Sequence, residues 1–94
     1  MKKKILIVVS DYYKNISNAL LRSTIKYLNK KTSLDIINVP GVFEIPVIIS
    51  KNIKKFDGFV AIGCVIRGKT AHFDLISKSV IDAIMNISID NKKP

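Results

Sequence analysis

The sequence predicts an α/β fold in which helices cover both faces of a parallel sheet, and three observations carry that expectation. An unbroken apolar run, ILIVV at residues 5–9, has the length and two-sided apolarity of a strand at the centre of a parallel sheet. Apolar residues then recur at helical spacing, here and again after each later β-branched run. The resulting order, strand and helix in alternation, requires right-handed crossovers onto a single sheet.

The first strand runs from Lys4 to Val9 and is ended by the polar Ser10 and Asp11. From Ser17 to Leu28, the residues Leu20, Leu21, Thr24, Ile25 and Leu28 share one helical face, and Ser17 stands where it can cap the first turn. Asp35 to Val39 form a second strand, stopped by Pro40 and Gly41. Glu44 to Ile53 form a second helix, in which Pro46 is tolerated because it falls in the first turn. Phe59 to Ile66 are a third strand, and Ala71 to Ile89 a third helix striped by Ile76, Val80, Ile84 and Ile87. Cys64, Phe56 and Phe59 read as core residues. Ligands of such sheets bind at the carboxyl ends of the strands. Ser10 to Lys14, Val39 to Glu44 and Ile66 to His72 are therefore expected to converge on one site.

With 94 residues and no internal repeat, linker or low-complexity segment, residues 1–94 are expected to form one domain. Hydrophobic residues make up 48% of the chain and the mean hydropathy is +0.24, which excludes a disordered protein. The apolar runs fall far short of the roughly 20 residues of a membrane span, so no membrane partner is expected. Lys2 to Lys4 precede an apolar run as in an export signal, but no small-residue cleavage site follows. The single Cys64 has no second cysteine for a disulfide or a zinc site, which points to a reduced, cytoplasmic setting without a metal. The formal charge of +9 and pI near 9.9 suggest an anionic partner. The lysines are scattered, however, and only Arg22 and Arg67 are arginines, so the charge reads as solvated surface and no nucleic-acid partner is expected.

GCVIRGKT, residues 63–70, satisfies the nucleotide-binding pattern G-x-x-x-x-G-K-[ST]. A phosphate loop of that kind needs its strand to finish before the first glycine, whereas Cys64, Val65 and Ile66 are expected to continue the strand, and β-branched residues resist tight turns. No later strand supplies a magnesium-binding carboxylate; the nearest candidate is Asp11, on the first strand. The pattern is read as accidental, and a P-loop-type nucleotide-binding protein remains the lesser reading. What survives is narrower. Gly68, Lys69 and Thr70 lie between a strand and a helix N-terminus, where free N–H groups and the helix dipole favour one phosphate group. Taken singly, His72 reads as a surface or capping histidine, Glu44 as a helix N-terminal charge and Tyr12 as a cap on the sheet end.

Taken together, IVVSDYY, NVPGVFEIP, FDGFVAIGCVIRGKTAHFD and the helix that follows resemble the lumazine synthase family, from Ile5 to Pro94 in order and spacing. VPGVFEIP and GCVIRGKTAHFD are its most specific segments. The resemblance implies a three-layer, flavodoxin-like parallel sheet. It also implies an enzyme of riboflavin biosynthesis, a transferase that condenses 5-amino-6-(D-ribitylamino)uracil with 3,4-dihydroxy-2-butanone 4-phosphate into 6,7-dimethyl-8-ribityllumazine, without a cofactor. On the same ground Tyr12 is expected to stack on the pyrimidine, and Gly41, Val42, Phe43 and Glu44 to hold the ribityl chain. Val65 and Ile66 would line the pyrimidine pocket, Gly68, Lys69 and Thr70 would hold the phosphate, and His72 would carry protons. Family members assemble as pentamers or larger shells with sites shared between neighbours. The sequence departs from the family at Asp11, Tyr13 and Lys69; an acidic or small residue is usual where Lys69 stands. It also lacks the family's last strand and two helices, so the alternative within the resemblance is a truncated, inactive remnant.

Overall fold

A computed structural model describes residues 2–28, 32–66 and 72–94, with the side chains of His72 and Phe73 outside that description. Strand β1 (Lys3–Ser10) leads into helix α1 (Lys14–Leu28), then strand β2 (Thr32–Val39), a 3-10 turn (Val42–Glu44) and helix α2 (Ile45–Lys51). Strand β3 (Gly58–Ile62) and helix α3 (His72–Asn91) follow. The strands form one parallel sheet in the order β2-β1-β3. The α/β expectation therefore holds in order and in strand direction.

β1 lies between its two partners, and Leu6, Ile7, Val8 and Val9 are at most 1% exposed. Alternate side chains of a strand point to opposite faces, so an unbroken apolar run is what two covered faces require. Leu6 and Val8 join Ile45 and Ile49 of α2 in one core cluster, against which Ile84 and Ile87 of α3 pack. Ile7 and Val9 join Ile62 on the other face, where Leu21 and Ile25 of α1 cover them. These are the three layers. Phe56 is buried in the first cluster, with Phe59 partly buried beside it; Cys64 is only half-buried.

Several boundaries differ from expectation. α1 begins at Lys14, three residues earlier than Ser17. Ser17 is therefore no cap: it is fully buried inside the helix, and its hydroxyl donates to the Ser10 carbonyl at 2.5 Å. β2 starts at Thr32 and α3 runs to Asn91, both longer than expected, whereas α2 stops at Lys51. Pro46 does sit in the first turn of α2. The largest difference is β3, which ends at Ile62 and not at Ile66. Apolar, β-branched residues at 65 and 66 imitate a strand, but β1 offers no pairing beyond Val9↔Ile62.

The opposite end of the sheet is tied by polar contacts. Asp57 accepts from the Lys4 N–H at 2.8 Å through its carboxylate and donates its own N–H to the Lys4 carbonyl at 2.7 Å. The Lys93 ammonium donates to the carbonyls of Ile53 and Phe56 at 2.6 and 2.9 Å, and the Pro94 carbonyl accepts from the Phe59 N–H at 3.0 Å. The segment after α3 is thereby held against the outer edge of β3.

Candidate active site

The strands stop level with one another. Ser10 pairs with Val39 and Val9 with Ile62, so the three chain segments that leave the sheet start from one line. Tyr12 follows two residues after β1, Gly41–Glu44 follow directly after Val39 and Pro40, and Gly63–Ile66 follow β3. His72 is the first residue of α3, which begins on the same side. Segments as distant in sequence as Tyr12 and Ile66 are thus gathered at one edge of the sheet by its parallel register.

The connection from β1 is fixed at its root by the Ser17–Ser10 bond and by an Asp11 N–H to Val39 carbonyl bond at 3.0 Å. Beyond that root Tyr12 is 72% exposed and meets Tyr13 edge to face, with ring centroids 4.9 Å apart. A large aromatic face left open at the sheet end is suited to a flat ring. The connection from β2 is a 3-10 turn closed by Glu44 N–H to the Gly41 carbonyl at 3.2 Å. Gly41 has an extended backbone, φ −145° and ψ 166°; a side chain there would meet the Glu44 carboxylate, whose Oε2 lies 3.3 Å from the position of its Cβ. The carboxylate of Glu44 makes no capping hydrogen bond to α2, and Phe43 beside it is 56% exposed.

Val42 and Val65 face one cleft. It is shallow and apolar, of about 170 Å³, and is lined also by Ile45, Ala61, Gly63 and Val80 of α3. Ile66 is 52% exposed and does not line this cleft. Gly68, Lys69 and Thr70, expected to hold phosphate, lie outside the described residues, as does the side chain of His72.

The early end of β3 removes one argument made from the sequence. The strand does finish before Gly63, so continuation of β3 through Ile66 is not what distinguishes this segment from a phosphate-binding loop. Two residues at the site were not legible as such. In sequence Ser17 reads as a helix cap and Gly63 as a motif glycine; in the fold the first is a buried clamp and the second a packing vacancy, and each depends on a neighbour more than five residues away.

The sequence matches the family model described as 6,7-dimethyl-8-ribityllumazine synthase over residues 2–94. It is 41% identical to the 6,7-dimethyl-8-ribityllumazine synthase of Bartonella tribocorum, in an alignment covering 98% of this chain and 65% of that protein. The protein of the same name from Bartonella henselae is 43% identical, with 94% of this chain and 60% of that protein covered. That from Limosilactobacillus reuteri is 34% identical, with the same two shares covered. The chain spans less than two thirds of the length of these curated relatives.

Proposed function

This chain belongs to the 6,7-dimethyl-8-ribityllumazine synthase family, and on that premise we propose that it condenses 5-amino-6-(D-ribitylamino)uracil with 3,4-dihydroxy-2-butanone 4-phosphate. The observation that carries this reading is the level ending of the three strands, which brings Tyr12, the Gly41–Glu44 turn and Val65 to one edge of the sheet. Tyr12 offers a ring face to the pyrimidine, and Val65 and Ile66 enclose it with apolar surface. Gly41, Val42, Phe43 and Glu44 receive the ribityl chain, with the Glu44 carboxylate accepting hydrogen bonds from its hydroxyls. Gly68, Lys69 and Thr70 receive the phosphate through N–H groups at a helix N-terminus, and the Lys69 charge adds attraction.

The reaction forms an imine, expels phosphate and closes a ring with loss of water. Each step moves a proton, and His72 is the group proposed to carry it, because an imidazole can both accept and donate a proton near neutral pH. The reading includes a single domain, a cytoplasmic setting and no cofactor. It also includes self-assembly, as a pentamer or a larger shell. Ile81, Met85 and Ile89, at 62%, 55% and 63% exposure, form an apolar stripe along α3 that such a contact would cover. Among the described residues no helix is long and apolar enough to cross a membrane.

The test is lumazine formation from the two substrates by the 94-residue protein and its His72→Ala variant. Turnover is expected to fall by about 10²–10⁴-fold in the variant with a much smaller change in KM. Equal turnover removes His72 from the role, and a protein that neither binds nor converts the uracil overturns the reading. A nucleotide-binding reading is favoured by one observation, that β3 ends before Gly63. It requires magnesium-dependent ATP binding that Lys69→Glu abolishes, whereas the phosphate site proposed here binds inorganic phosphate without magnesium and is only weakened by that substitution.

A further inference from the structure

Gly63 occupies the point where all three strand-end connections meet. A Cβ built on it would lie 2.6 Å from Cγ1 of Val42, 3.6 Å from Cδ1 of Ile45 and 3.6 Å from Cβ of Ser10. Carbon atoms rest at about 3.5–4.0 Å, so the contacts with Ile45 and Ser10 are ordinary and the one with Val42 is forbidden. Conformation does not explain the glycine, since among the described residues no glycine has a positive φ. What the position requires is the absence of a side chain.

The direction in which the structure would yield is also determined. Ser10 is 1% exposed and Ile45 is 2% exposed, both locked in the core, whereas Val42 is half-buried at the start of the 3-10 turn. A β-branched residue cannot easily rotate its methyl groups away. The turn is closed on itself by the Glu44 N–H to Gly41 carbonyl bond, and the Glu44 carboxylate lies over Gly41, so pushing Val42 moves Phe43 and Glu44 with it.

We propose that Gly63 is a positioning residue: by leaving room for Val42 it seats the Val42–Glu44 turn on the end of β3 and so sets where Phe43 and Glu44 stand for a polyhydroxyl chain. This rests on the substrate reading above. A methyl group at 63 displaces the turn by about 1 Å, and misplacements of that size can reduce function by as much as ~10²-fold.

Three proteins test it: wild type, Gly63→Ala, and Gly63→Ala combined with Val42→Ala, which removes the clashing methyl. Amide hydrogen exchange reads the turn without any ligand, and calorimetry reads the affinity for 5-amino-6-(D-ribitylamino)uracil. Gly63→Ala is expected to speed exchange of the Glu44 N–H by about tenfold or more and to weaken the uracil by a similar factor, while the Leu6 to Val9 amides keep their protection. The double variant should regain slow exchange and bind more tightly than Gly63→Ala alone. A Gly63→Ala protein with unchanged Glu44 exchange, or a defect that Val42→Ala does not relieve, overturns the proposal. Rescued exchange in a protein whose wild type does not bind the uracil supports the seating of the turn and refutes the substrate reading instead.

Discussion

The hydroxyl of Ser17 donates a 2.5 Å hydrogen bond to the carbonyl of Ser10, and the two residues are 0% and 1% exposed. This bond joins the last residue of β1 to the first turn of α1 and spans the segment that carries Tyr12. Ser17→Ala leaves a buried carbonyl without this donor, and a loss of about 1–3 kcal/mol is expected in urea unfolding. Ser17→Thr keeps the hydroxyl and should recover part of it. An alanine variant as stable as the parent would show that the bond contributes nothing.

Leu6 is wholly buried in the cluster that joins β1 to α2. Leu6→Ala removes three carbon atoms from a fully buried position, and about 2–5 kcal/mol should be lost. Against a total of about 5–15 kcal/mol for a domain, the variant should melt well below the parent by circular dichroism.

The Lys93 ammonium bridges the carbonyls of Ile53 and Phe56, and Pro94 accepts from Phe59 beside it. Lys93→Met keeps most of the apolar stem and deletes both bonds. Stability should fall by about 1–2 kcal/mol, and the Phe59 amide, which depends on the same segment, should exchange faster. Unchanged Phe59 exchange would mean that Pro94 is held without Lys93.

Tyr12 separates stacking from hydroxyl chemistry. If its ring carries the pyrimidine, Tyr12→Phe should bind the ribitylaminouracil nearly as well as the parent. Tyr12→Ala should lose about 0.5–1.5 kcal/mol, or roughly two- to tenfold in Kd. Equal binding by the alanine variant would take Tyr12 out of the site; being 72% exposed, it should leave stability unchanged in either case.

Lys78 and Asp82 pair one turn apart on the exposed side of α3, at 2.6 Å. The hydrogen bond to Asp82, and then its charge, raise the Lys78 pKa above the ordinary 10.5. A raised lysine pKa makes the pair's stabilisation fully present below about pH 10.5 and progressively lost as the pH rises through the folded value. Asp82→Asn should return the lysine titration, followed by NMR, to its ordinary position; no change would show that the pair is absent in solution.

The sequence by itself determined the layers. ILIVV, short, rich in β-branched residues and ended by Ser10 and Asp11, reads as a strand covered on both sides, and the helical stripes of Leu21 with Ile25 and of Ile84 with Ile87 are the apolar surfaces that cover it. It also carried the family, because VPGVFEIP and GCVIRGKTAHFD are strings read residue by residue. What it did not carry was the end of β3, since Val65 and Ile66 have the same local preference for extended backbone whether or not a neighbour pairs with them; the level end of β1 decided that strand length. Nor did it reveal the roles of Ser17 and Gly63. A serine before a helical stripe looks like a cap until the helix is seen to start earlier, and a motif glycine shows its steric purpose only when Val42 is found 2.6 Å from where its side chain would be. Helical and strand periodicities are local and can be read along the chain; a clamp or a vacancy is a distance between residues that only the folded sheet brings together.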